Sequence, residues 1–355
     1  MKNKNRYDIQ IKFQEKKTAK PIFQGTIPYS GSNTSTDTLK IYNHEIILIA
    51  YRVSILNLNE IFYNHTSSLN NQIIKALVYY YAQNFKCPAI EEIIITRAGQ
   101  SGVLDEKTFK SNQISQPLTH KIKSFILFKP AAIKVIFQET EKGKSILIAL
   151  SYWLKAMSVS DPVEQFERLW RGFNSIYSIG MTGNETNKHI AMRDFTINNP
   201  SILVYSSKEI KKYNNDKTLR NSFRWRGLIL NDYGTIAKTE AYKSFIKRYS
   251  DTRVIKLLKE TLPYRVDFLT AKGYITETTN YINNCLTHPT TSDAQLISLL
   301  CIKYMYFVRN KSFHGEKLDD TFRVIGENKG VKEFNSLNIL LSSYTADLIN
   351  ANHFL

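Results

Sequence analysis

Residues 161–177 read DPVEQFERLWRGFNSIY. Val163, Phe166, Trp170, Phe173 and Tyr177 step by three, four, three and four, and Leu169 and Ile176 widen the stripe. This is the apolar face of an α-helix at 3.6 residues per turn. Asp161 offers a side-chain oxygen to the free N–H groups of the first turn. Pro162 stands where a missing N–H costs nothing, and Glu164 completes a capping box. Gly180 is placed to end the helix. On such a stripe Trp170 and Phe173 read as core.

The same period extends outward. Residues 146–157 (ILIALSYWLKAM) form a strongly apolar helix. A second capping box, Ser292-Asp293-Ala294-Gln295, opens a helix through LISLLCIKYMYFVRNKSFH that Gly315 closes, and a last helix covers roughly 331–350. Upstream the period changes. Tyr7, Ile9, Ile11 and Phe13 alternate with polar residues, 39–58 contains another β-rich stretch, and 91–97 (EEIIITR) is β-branched, all marks of strands. One helix, 69–85, interrupts them, and Cys87-Pro88 ends it. Residues 98–120 read as a polar loop, and 132–140 fit strand or helix equally. The expected fold class is α+β. A β-rich domain with one helix over 1–144, in a sensor or specificity role, precedes a helical bundle over 145–355, with a long basic insertion at about 181–290.

A chain of 355 residues exceeds the roughly 250–300 at which single cores stop growing, so two domains are expected. With 43% hydrophobic and 22% charged residues, disorder is excluded as a class. Cys87, Cys285 and Cys301 are too scattered for a disulfide framework or a zinc cluster. The basic N-terminus leads into an alternating stretch without the apolar core of a signal peptide, and the longest apolar runs fall far short of a bilayer span. A cytoplasmic protein without membrane contact is expected.

The net charge is +17, which favours a polyanionic partner. Residues 205–265 hold 15 Lys and Arg against six acids, interleaved with Tyr213, Phe223, Trp225, Tyr233, Tyr242, Phe245 and Tyr249. That mixture suits neutralised phosphates and stacked bases. Lys211, Lys212, Arg220, Arg224 and Arg226, with Lys311 downstream, are the candidate RNA contacts. Tyr242, Phe245 and Tyr249, however, are spaced as the buried stripe of an amphipathic helix. Gly143-Lys144-Ser145 ends like a phosphate-binding loop, but position 138 is Gln where its first Gly belongs. His44, His65, His120, His189, His288 and His353 have no neighbours at metal-ligand spacing. No metal or cofactor is expected.

The stretch 307–315, FVRNKSFHG, carries the chemistry. Asn310 and His314 are four apart and share a helix face. Arg309 offers a planar fork of donors to a phosphate. His314, in the last turn before Gly315, meets the negative end of the helix dipole, which favours its protonated form. By spacing alone, such a histidine also serves simply as a C-terminal cap.

Arg309, Asn310, three residues, His314 and Gly315 resemble the Arg-x4-His signature of the HEPN superfamily, in which Asn commonly follows the Arg. Residues 161–177, preceded by Tyr152-Trp153-Leu154-Lys155-Ala156, are similar to the early helices of the abortive-infection type of HEPN domain. The resemblance covers about 145–355 and leaves the first part unexplained. It implies a metal-independent endoribonuclease that dimerises through its helical domain into one composite site. His314 is then the acid/base toward the ribose 2′-hydroxyl, Arg309 stabilises charge on the scissile phosphate, and Asn310 orients either group. Products carry 2′,3′-cyclic phosphates and DNA resists. A role as toxin or anti-phage effector with an antitoxin or defence partner is implied. The rival reading is a non-catalytic RNA-binding or protein-interaction module.

Overall fold

The computed structural model describes residues 5–29, 35–64, 67–99, 102–118, 120–122, 124–177, 179, 185–313 and 329–355. The chain is α+β and divides into two compact units, Met1–Ser160 with Asn352–Leu355, and Asp161–Ala351. The division therefore falls about 15 residues beyond the expected 144/145 boundary.

In the first unit, β1 (Asn5–Phe13), β2 (Phe23–Pro28), β3 (Thr36–Ile41), β4 (Glu45–Arg52), β5 (Ile90–Gly99) and β6 (Gly102–Lys110) form one antiparallel sheet, ordered β2-β3-β4-β1-β5-β6. Alternation aligns the buried faces. Ile9 pairs with Leu48 and Ile95, and Ile11 with Ile46 and Ile93. Helix α1 (Ser68–Gln83) lays Leu69, Ile73, Ala76 and Tyr80 into the core, with Tyr80 stacked 4.0 Å from Phe13. Asp37 and Arg52, both buried, form a two-pronged ion pair at 2.7 Å on each arm that also binds Gln72 and Ser68, joining β3, β4 and α1.

One expectation fails here. Residues 98–120 contain β6, whose residues are exposed or half-exposed on both faces, so no apolar alternation marks it in the sequence. The β-rich stretch expected within 39–58 is the end of β3 and β4, which closes at Arg52. The ambiguous segment becomes a short helix, α2 (Pro130–Ile133), continued as a 3₁₀ turn. The helix expected to open the second domain, α3 (Glu141–Met157), belongs to the first unit, with Trp153 packed 4.8 Å from Phe128 and 5.8 Å from Phe85.

The second unit is helical among the described residues. It comprises α4 (Pro162–Tyr177), α5 (Glu185–Asn198), α6 (Val204–Ile210), α7 (Asp216–Ser222), α8 (Trp225–Asp232), α9 (Thr239–Lys247), α10 (Thr252–Thr261), α11 (Val266–Ala271), α12 (Ile275–Thr287), α13 (Asp293–Ile297), α14 (Met305–Phe313) and α15 (Lys329–Asn350). α15 is the central helix, buried along Phe334, Leu337, Leu341, Tyr344 and Leu348, and α4 and α6 pack on it. Phe166 of α4 meets Phe334 edge-on at 5.4 Å. Asp347 of α15 accepts from the N–H groups of Tyr205 and Ser206, both at 2.8 Å, and so caps α6.

The described part of segment 181–290, from Glu185, packs within the second unit. α5 packs on the residues that link α13 to α14, and α6 on α15, so this segment builds the same core. Tyr242, Phe245 and Tyr249 are buried, as their spacing indicates. Both capping boxes are half made. Asp161 accepts from the Glu164 N–H at 2.7 Å and Ser292 from the Gln295 N–H at 3.3 Å. The Glu164 carboxylate instead pairs with Arg168, and the Gln295 side-chain oxygen takes the N–H groups of Ser250 and Asp251. Gly180 and Gly315 lie outside the described residues.

Candidate nucleic-acid interface

Residues 293–313 run continuously helical, but Ser298–Tyr304 is π-helical, with α13 before it and α14 after. An i→i+5 turn is rare and persists where tertiary packing holds it; here Ser298, Leu299, Leu300, Cys301, Ile302 and Tyr304 are all buried. Tyr304 and Tyr306 leave this helix in different directions. The Tyr304 hydroxyl donates to the Glu333 carboxylate and accepts the Arg224 N–H at 2.6 Å. Tyr306 faces α5, its ring 4.5 Å from His189.

Arg309 and Asn310 follow Tyr306 by three and four residues and so continue its face. Both are half-buried, and an Arg309 Nη donates to Asn310 Oδ1 at 3.0 Å. The guanidinium is thus held against the amide that follows it in the motif. His314 lies outside the described residues. Lys311, half-buried, comes next on the helix.

Starting one turn before the Arg309–Asn310 pair, this helix gives Tyr306, Lys303 and Ile302 to an open pocket of about 100 Å³ that His189 and Arg193 line from α5. His189 and Arg193 are four apart on α5, so both face it. Trp170, Tyr177 and Tyr306 surround the imidazole, at 6.4, 5.0 and 4.5 Å between ring centres. Burial, then the charges of Arg193 and Lys303, push His189 down to about 4, which leaves it neutral at physiological pH. Burial also lowers the pKa of Lys303, and the ion pair with Asp232 partly offsets that.

The candidate RNA contacts divide into two groups. Arg220, Arg224 and Arg226 line one groove of about 610 Å³ together with Phe223, Trp225 and Tyr264. Arg220 pairs with Asp216 and Glu260 at 2.5 and 2.6 Å, Arg224 with Glu333 at 2.9 Å, and Arg226 stacks 4.2 Å over Tyr264. This groove adjoins the motif helix. Gly227 lies against Phe307, and Arg224 is anchored on Tyr304. Lys211 and Lys212 are exposed at the end of α6 and are not among the residues that line the groove; Lys212 pairs with Glu209.

Sequence reasoning missed His189, Arg193, Lys303 and Tyr306. The only signal was the spacing of four between His189 and Arg193, in a helix whose side chains show no clear apolar stripe. Among the described residues, no group of three His, Cys, Asp or Glu side chains is arranged to hold a metal ion. Nor is any helix among them long and apolar enough to cross a membrane. No protein-family model, curated protein or solved structure matches the chain.

Proposed function

We propose that the second unit is a metal-independent endoribonuclease of HEPN type that cuts single-stranded RNA. The observation that carries this reading is the Arg309–Asn310 pair at the end of a helix whose same face, one turn earlier, opens on a cationic pocket. The groove lined by Arg220, Arg224 and Arg226, with Trp225 and Tyr264 between them, supports a single-stranded partner, because it interleaves phosphate-binding cations with stacking surfaces.

In this reading His314 takes the proton of a ribose 2′-hydroxyl, and the 2′-oxygen attacks the adjacent phosphorus. A P–O bond forms as the bond to the departing 5′-oxygen breaks, and a proton is delivered to that oxygen. Arg309 stabilises the charge gathering on the phosphate, and Asn310 keeps its guanidinium in place. The products are a 2′,3′-cyclic phosphate and a 5′-hydroxyl. Two copies meet through their helical units to make the composite site, in a toxin or anti-phage effector.

The purified chain is expected to cut single-stranded RNA in EDTA, leave 2′,3′-cyclic phosphate ends and spare DNA of the same sequence. Arg309→Ala and His314→Ala each lower the rate by about 100-fold or more, the scale of a lost acid/base or charge-stabilising group. RNA that is bound but never cut identifies a non-catalytic module instead. Cleavage abolished by EDTA, or undiminished in His314→Ala, overturns the mechanism.

A further inference from the structure

Arg193 is 8% exposed, and its Nε has no hydrogen-bond partner among the described residues. No carboxylate among them pairs with it. The acids of the neighbourhood are engaged elsewhere, Asp194 by Arg248 and Asp232 by Lys303. The Tyr249 hydroxyl, a neutral group, is its polar neighbour. A second cation, Lys303, shares the pocket, the imidazole of His189 beside them is neutral, and none of the lining residues is an acid. A buried cation without a counter-charge is among the least favourable arrangements a protein interior can hold. Replacing it by an apolar residue would remove that cost, so its presence calls for an anion.

We infer that this pocket is a phosphate subsite, taking one phosphate group against Arg193 and Lys303. The two cations come from different helices, α5 and the π-helical segment, and converge on one space. A tetrahedral oxyanion presents oxygens in both directions, whereas a point anion reaches one cation well. A space of about 100 Å³ that opens to solvent has room for a single phosphate group. Trp170, Tyr177 and Tyr306 wall the site through His189 and thin the water around it, which strengthens charge–charge attraction. An RNA phosphodiester as occupant rests on the ribonuclease reading above; the preference for a phosphate does not. The subsite would hold a phosphate near the scissile one, with Lys303 six residues and Tyr306 three residues before Arg309 on the same helix, making Arg193 a substrate-positioning residue.

The test compares wild type with Arg193→Met and Lys303→Met in phosphate-free buffer, using inorganic phosphate and uridine 3′-monophosphate as probes. Thermal shift and phosphorus-31 line broadening are the readouts, and acetate is the control anion. Wild type is expected to gain several degrees with either phosphate and not with acetate, and each variant to bind roughly tenfold or more weakly, the scale of a lost charge-assisted hydrogen bond. Without phosphate, Arg193→Met should melt no lower than wild type, because a buried unpaired charge has been removed. A purely structural arginine would give the opposite and overturn the inference. So would a wild type that binds neither probe, or folded variants that bind as wild type does. An Arg193→Met that fails to fold is the extreme of a lowered melting point and likewise overturns the inference, and unchanged binding in Lys303→Met refutes the subsite independently. Phosphate binding in a chain that cuts no RNA upholds the subsite and removes the ribonuclease reading. Cleavage unaffected by phosphate and undiminished in Arg193→Met does the reverse.

Discussion

His189 sets the behaviour of its neighbourhood through one proton. Its pKa stands at about 4 in the folded chain, first because it is buried and then because Arg193 and Lys303 are cationic, against about 6.5 when unfolded. Between these values the unfolded chain binds the proton and the folded chain does not. The contribution to stability is therefore complete above about pH 6.5 and is lost as the pH falls towards 4, up to about 3 kcal/mol. His189→Phe keeps an aromatic ring among Trp170, Tyr177 and Tyr306 and removes the proton. Chemical denaturation at pH 7 and pH 4.5 is expected to show a shallower acid loss in this variant. Equal losses in both proteins would refute the assignment. Nothing local to His189 in the sequence announces this. The depressed pKa arises first from burial among rings of α4 and α14 and then from Arg193 on its own helix, with Lys303, more than 100 positions away, adding least.

Helix α3 carries a different lesson. Gly143 in its first turn sits so close to the preceding segment that a Cβ would stand 2.5 Å from the Gln138 carbonyl oxygen and 2.7 Å from that of Val135. Alanine normally stabilises a helix relative to glycine by up to about 1 kcal/mol. Here the sign reverses, and Gly143→Ala is expected to destabilise the first unit by about 1–3 kcal/mol, the cost of overpacking. Urea denaturation followed by circular dichroism checks it, and a stabilised variant would contradict the geometry. The glycine in a stretch that ends like a phosphate-binding loop thus has a steric reason. Strongly patterned elements were legible: β1 from its alternation, α4 from its stripe, α15 from its apolar run. β6 was not, because an edge strand joined to β5 through backbone bonds needs no apolar face. The π-helical segment left no signal either, since its side chains would suit an α-helix equally well.

Across the whole molecule, the surplus of +17 is less available than composition suggests. Within 205–265, Lys212, Arg220, Arg224, Lys243, Lys247, Arg248 and Arg253 all have acidic partners. Three arginines nevertheless converge on one groove. If each meets one phosphate, the affinity for single-stranded RNA should fall with salt at a log–log slope of about −2, and Arg226→Ala should lessen it by about 0.7. An unchanged slope in that variant would remove Arg226 from the interface. By itself the sequence determined the α+β class, the main helices and strands, the buried aromatic stripes and the motif at 309–314, because those follow from local period and capping chemistry. Only the tertiary structure decided that α3 joins the sheet unit, that 181–290 builds the helical core, and that Arg193 and Lys303 meet around His189. These depend on which distant faces pack together and on which acids each cation finds, and neither is written in any single stretch of chain.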